Sequence, residues 1–191
     1  MRSSLVIAAA APALVAAICP DPVPQISSLQ WSGTGCPSSS AGAVKSYGPM
    51  DFSEVKAFTF NQLDSDNTEA CEIHLQAKTP AGWQVAIKEV AHTGDVTLKP
   101  NSELDWYTQI YWSKNAADTA IAKGSIVNSG GDTYRNGDVT VRSKVTEKWS
   151  DCSNGNDGVG ILNVNFRPVI NGDSGHFNFR MTTWYLDWRR C

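Results

Sequence analysis

The chain is poor in the residues that build metal and nucleophilic centres. Its three histidines, His74, His92 and His176, are scattered, and neither a Cys-x-x-Cys nor a His-x-x-x-His pair occurs. That removes the usual zinc ligand sets, and no metal is expected. No motif names a cofactor, so none is expected either. Lysine and arginine form no basic cluster, which argues against nucleic acid as a partner. Beyond the N-terminus no apolar run approaches the roughly 20 residues of a membrane span. No Asn-x-Ser/Thr sequon occurs. Helical periodicity is never sustained over three turns, and there is neither an internal repeat nor a second-domain linker.

What is present begins with "MRSSLVIAAAAPALVAAICP", a short n-region with Arg2, an apolar stretch and small residues before a cut after Ala17. This pattern is that of a secretory signal peptide over residues 1–17. A Pro-rich leader follows over 18–24, and a single domain over 25–191. Removing residues 1–17 takes away one of 16 cations, leaving 15 against 19 carboxylates, a formal charge of −4. The expected location is extracellular, where disulfides are the default state of cysteine. Of the five cysteines, Cys19 lies in the leader and is the natural outsider. Cys36, Cys71, Cys152 and Cys191 remain, and fifteen two-bridge patterns are open in principle. Cys36 with Cys71 and Cys152 with Cys191 is preferred because each pair closes a moderate loop, a stabilisation of roughly 3–4 kcal/mol per bridge.

Period-two alternation dominates the rest. "CEIHLQAK" places Cys71, Ile73, Leu75 and Ala77 on one face, and "GDVTVRSKVTEKW" turns Val139, Val141, Ser143 and Val145 inward. Turn clusters such as "NSGGDTYRNGD" and "CSNGNDG" separate the strands. About eight or nine strands are expected, in an all-β, two-sheet antiparallel sandwich of jelly-roll type. "NAADTAIAKG", residues 115–124, is the one place for a short helix or helical turn. "CPSSSAGAVKSYGP" reads as a surface loop.

Several motifs invite chemistry. "NGDSG" contains the letters around a chymotrypsin-like nucleophile, with His92 upstream as a base for Ser174. Two strand patterns flank it, however, and Asn-Gly favours a hairpin tip, with Gly175 the candidate for a positive φ. No catalytic residue is assigned. The loops carrying Asp64, Asp66, Asn67 and Glu69, and Asp151, Asn154, Asn156 and Asp157, offer calcium-type oxygens but lack a calcium-loop spacing. Glu72, Glu89, Glu103, Asp105 and Glu147 could supply a glycosidase pair, yet each fits ordinary surface charge.

Aromatic residues carry more information, with seven Trp and five Tyr. In "SELDWYTQIYWSK" alternation sends Leu104, Trp106, Ile110 and Trp112 to the core. Asp105, Tyr107, Gln109 and Tyr111 then share the opposite face. Two tyrosines beside hydrogen-bonding side chains have the composition of a carbohydrate- or protein-binding surface, so these four are the candidate binding residues. In the last strand Phe177, Phe179 and Met181 are out of phase with Trp184, Leu186 and Trp188. A bulge at Thr182 or Thr183 would turn all six inward; a regular strand would instead show two Trp to solvent.

"WSGTGCP", "ACEIHLQAKTPAGWQVAI", "WSDC" and the terminal "LDWRRC" together resemble a family of small secreted, mainly fungal proteins known only as a domain of unknown function. The resemblance covers nearly the whole mature chain. It implies that Cys36, Cys71, Cys152 and Cys191 form the bridges, and it brings no catalytic residues. A secreted fungal protein without enzymatic motifs is expected to recognise an extracellular host protein, as an effector or elicitor does, or a wall polysaccharide.

Overall fold

The computed structural model describes residues 19–191, so the expected signal peptide lies outside the described residues. Eleven strands follow in order: β1 (Gln25–Ser32), β2 (Val44–Tyr47), β3 (Val55–Phe60), β4 (Asp64–Ser65), β5 (Cys71–Lys78), β6 (Trp83–Leu98), β7 (Ser102–Trp112), β8 (Ala120–Asn128), β9 (Tyr134–Lys144), β10 (Ile161–Gly172) and β11 (Gly175–Arg190). They form two antiparallel sheets, a five-stranded one in the order β1-β5-β10-β7-β8 and a six-stranded one in the order β2-β3-β11-β6-β9, with β4 paired on β11. The all-β, two-sheet architecture is the one that the alternating pattern predicts.

Each sheet turns one face inward. Leu75, Leu104, Ile110, Val164 and Phe166 from the first meet Phe58, Ile87, Phe177, Phe179 and Trp184 from the second, all buried. Burying each such side chain contributes about 1.5–3 kcal/mol. His92 on β6 bridges the layers: its ring stacks on Phe166 with centroids 3.5 Å apart and planes 10° apart, and its Nε2 lies 3.1 Å from the Thr108 hydroxyl. The Cys36–Cys71 bridge fastens the head of β5, and Cys152–Cys191 ties the chain end beside the start of β6. These are the pairs that loop length favoured, and Cys19 is free.

Four expectations about local structure need correction. Residues 115–124 hold only the end of a 3-10 turn, Ser113–Asn115, and then enter edge strand β8. The small residues there serve packing rather than helix propensity: Ala120 and Ala122 are buried, and at Gly124 even a Cβ would lie 2.4 Å from the Trp106 indole. The loop after β1 contains strand β2. The bulge in β11 falls between Phe179 and Met181, two residues earlier than expected. Thr182 rather than Met181 therefore turns inward, and Trp184 and Trp188 are buried in the core.

The fourth correction concerns Ser174. β10 and β11 belong to different sheets, so "NGDSG" is an arch between layers, not a paired hairpin. The Ser174 N–H donates to the buried Ser102 Oγ at 2.9 Å, and its carbonyl accepts from Lys99 N at 3.0 Å. The left-handed residue is Gly172, φ 90°, whose added Cβ would sit 2.2 Å from the Asn101 carbonyl oxygen. At Gly175 the constraint is crowding by Leu98 and Thr97 instead.

Candidate functional site

Antiparallel register sets the outer face of the five-stranded sheet as rows across strands. In one row Glu72 on β5 lies opposite Asn165 on β10, Asn165 opposite Gln109 on β7, and Gln109 opposite Ile121 on β8. In the next, Arg167, Tyr107 and Lys123 stand side by side on β10, β7 and β8. Beyond them lie Asp105 and then Glu103.

One end of this face is closed by its own hydrogen bonds. The Tyr111 hydroxyl donates to Glu72 Oε1 at 2.6 Å, and this bond, ahead of burial, pushes the phenol up to about 12. Buried Asn163 donates to Ser113 Oγ at 2.8 Å, and its amide oxygen lies 2.7 Å from His74 Nδ1. His74 therefore donates from Nδ1, leaving Nε2, 3.1 Å from Ser32 Oγ, to accept from that hydroxyl when the ring is neutral. At the other end Asn171 donates to Asp105 at 2.7 Å, while burial and then the neighbouring Glu103 raise the Asp105 carboxyl above its usual range.

Between these ends lies an open groove of about 710 Å³. Tyr107 and Gln109 line it with Arg167, Lys123 and Asn165, and Ala70 and Ile121 close its sides. β5 stops at Cys71, beyond which β10 continues through Pro168, whose missing N–H is tolerated past the end of that neighbour. The short side chain of Ala70 there leaves the groove open. Tyr107 is 41% exposed. No carboxylate of the described residues lies within ion-pair distance of Arg167 or Lys123. The Asn165 amide oxygen is buried without a partner. A ring face, two amides and two uncompensated cations can together stack on, hydrogen-bond and neutralise a ligand.

Tyr107, Gln109, Tyr111 and Asp105 thus share one face, but only the first two line the groove; Tyr111 and Asp105 are held by protein partners at its ends. Arg167, Lys123 and Asn165 were not singled out from the sequence. They come from β10 and β8, and their adjacency to Tyr107 exists only through sheet order.

The other candidates disperse. His92 is fully buried, its imidazole held neutral by burial with a pKa lowered to about 3, and it contacts Thr108 and Phe166 while Ser174 contacts Lys99 and Ser102. No activating base reaches that serine. Glu89 pairs with Arg142 at 2.9 Å on the six-stranded sheet, Glu72 is engaged by Tyr111, and neither Glu103 nor Asp105 lines the groove. Asp64 and Asp66 lie 3.3 and 2.7 Å from the nitrogens of His176. Asn154 folds its own loop through bonds to Asn156 and Asp157. Among the described residues no group of three or more His, Cys, Asp or Glu is placed to hold a metal, and no helix is long and apolar enough to cross a membrane.

Among solved structures the chain is similar to the carbohydrate-binding module TmCBM61 in complex with β-1,4-galactotriose. The identity is 13%, with 87% of this chain and 91% of that one covered and a TM-score of 0.28. A second similarity is to carbohydrate-binding modules of the β-sandwich superfamily with promiscuous specificity, at 12% identity, covering 85% of this chain and 57% of that one, with a TM-score of 0.26. No curated protein matches the chain. Residues 23–191 match the model of a family described as a domain of unknown function, DUF4360, and the chain belongs to that family.

Proposed function

We propose that this protein is a secreted, non-enzymatic recognition module that binds a wall polysaccharide along the outer face of its five-stranded sheet. The observation that carries this reading is the groove around Tyr107. It joins a half-exposed aromatic ring to the exposed Gln109 amide, the combination that recognises a pyranose by stacking and hydrogen bonding. The two disulfides and the signal-like residues 1–17 support secretion. The carboxylates discussed above pair or scatter rather than face one another across the groove, which supports binding over hydrolysis.

Affinity electrophoresis through plant and fungal wall polysaccharides tests this reading. Retardation by at least one polymer that is lost in Tyr107→Ala is expected; retardation unchanged by that substitution would defeat it.

A second reading, an effector or elicitor that docks on a host protein, is favoured by Ile121 and Val127. They stand 62% and 61% exposed on edge strand β8, on the same face as the groove. Under that reading Ile121→Asp abolishes capture of a defined host receptor, while Tyr107→Ala leaves polysaccharide retardation untouched.

A further inference from the structure

We infer that the ligand of the groove is a polyuronate, a pyranose chain bearing free carboxylates. The inference rests on the glycan-binding reading and names the ligand class. It starts from charge: the chain carries more carboxylates than cations, and three cations at the centre of the six-stranded sheet are matched. Lys88 pairs with Asp187, Arg142 with Glu89, and Arg180 with Asp95. Arg167 and Lys123 have no such partner among the described residues, and both line the groove.

Their placement selects the ligand. They flank Tyr107 in one row on the strands either side of it, so their backbones stand about 10 Å apart, two strand spacings, with the ring between. A sugar stacked on Tyr107 then has one cation on each side. Arg167 presents a planar fork suited to bidentate carboxylate binding, and Lys123 a point charge. The exposed Gln109 amide in the adjoining row is left for hydroxyl groups.

Alternatives fit less well. β10 and β7, which carry Arg167 and Tyr107, are paired on both sides, so a peptide adding a strand could do so only at the outer edge of β8, away from that row's centre. A polyphosphate would meet Glu72 at one end of the face and Asp105 and Glu103 at the other, whereas a chain with one charge per sugar is repelled less.

Isothermal titration of the purified protein against polygalacturonate, fully methyl-esterified polygalacturonate, neutral galactan and poly-glutamate tests the inference. Polygalacturonate should bind most tightly. Esterification, or the double substitution Arg167→Gln/Lys123→Gln, should each weaken it by about tenfold or more, the loss of a charge-assisted hydrogen bond. Both side chains are exposed, and unchanged thermal melting of the double variant confirms its fold.

Equal affinity for the free and esterified polymers, with both lost in Tyr107→Ala, would overturn the uronate inference and leave the groove reading standing. Full-strength polygalacturonate binding by the double variant, or no binding of polygalacturonate at all, would also overturn it. Poly-glutamate bound as tightly as polygalacturonate would make an acidic peptide the partner. Polygalacturonate binding indifferent to Tyr107→Ala would instead defeat the groove reading.

Discussion

The two outer faces of the sandwich differ in where their ion pairs lie. On the six-stranded sheet Lys88–Asp187, Arg142–Glu89, Arg180–Asp95 and His176 with Asp64 and Asp66 pair across or between strands. Arg142 also donates to the Tyr185 hydroxyl at 3.0 Å. On the five-stranded sheet such bonding stops short of the centre, where Tyr107, Arg167 and Lys123 have no side-chain partner among the described residues. A face whose groups satisfy one another gains little from a ligand. A face that holds a ring and two cations open has groups left for a ligand, which is why recognition is proposed on the five-stranded sheet.

The largest effect that sharpens this contrast comes from the disulfides. Cys36–Cys71 is buried and fixes the head of β5 beside Ala70, whereas Cys152–Cys191 closes the end of the other sheet. Replacing either pair by alanine should lower stability by about 4 kcal/mol in urea melts, the loop-closure contribution. Only loss of Cys36–Cys71 should also weaken ligand binding at a temperature where both variants are folded. Equal loss of binding in the two variants would break the comparison.

Next comes pH, which acts on the interior that both sheets share. The folded pKa of His92 is lowered to about 3 by burial, below its ordinary value of about 6.5. Above pH 6.5 the ring is neutral in both states and contributes no pH dependence. As pH falls below 6.5 the unfolded chain takes up the proton first, and stability is lost progressively down to about pH 3. Between pH 7 and 5 the native protein should lose about 2 kcal/mol more than His92→Phe, which keeps the stack on Phe166 but cannot titrate. Parallel curves for the two proteins would contradict this.

A smaller effect is expected at the arch between the layers. Ser102→Ala strips the Ser174 N–H of its acceptor and should cost about 1–2 kcal/mol in thermal melts. Ser174→Ala keeps that N–H and should change stability by less than about 0.5 kcal/mol. Smallest of all are the surface charges. Lys88→Gln breaks a matched pair and should cost about 0.2–1 kcal/mol, while Arg167→Gln removes an unmatched cation and should stay within about 0.5 kcal/mol. Their ranking reverses for ligand binding, which only Arg167→Gln should weaken.

Strand character was legible wherever one face is buried, because alternation then has a physical cause. β5 and β7 show it residue by residue, and Tyr107 and Gln109 could be placed on a common outer face from β7 alone. β8 was not legible: an edge strand beneath Trp106 needs alanine and glycine, which in sequence look helical or loop-like. The β11 bulge was visible as a phase change in the aromatics. Its position was not, because the phase fixes only that one residue is extra and not which. The site itself was half legible. Arg167 and Lys123 are 44 residues apart and meet Tyr107 through the order β10-β7-β8, which no local pattern encodes. The arch at Ser174 escaped for the same reason, since its flanking strands look alike whether they pair or part.

The most direct test of the asymmetry is a titration of isotope-labelled protein with oligogalacturonate, followed by backbone amide shifts. The account predicts the largest changes at Tyr107, Gln109, Lys123, Asn165 and Arg167, with the outer residues of β6, β9 and β11 unmoved. Shifts concentrated on β6, β9 and β11, with the Tyr107 row silent, would contradict it.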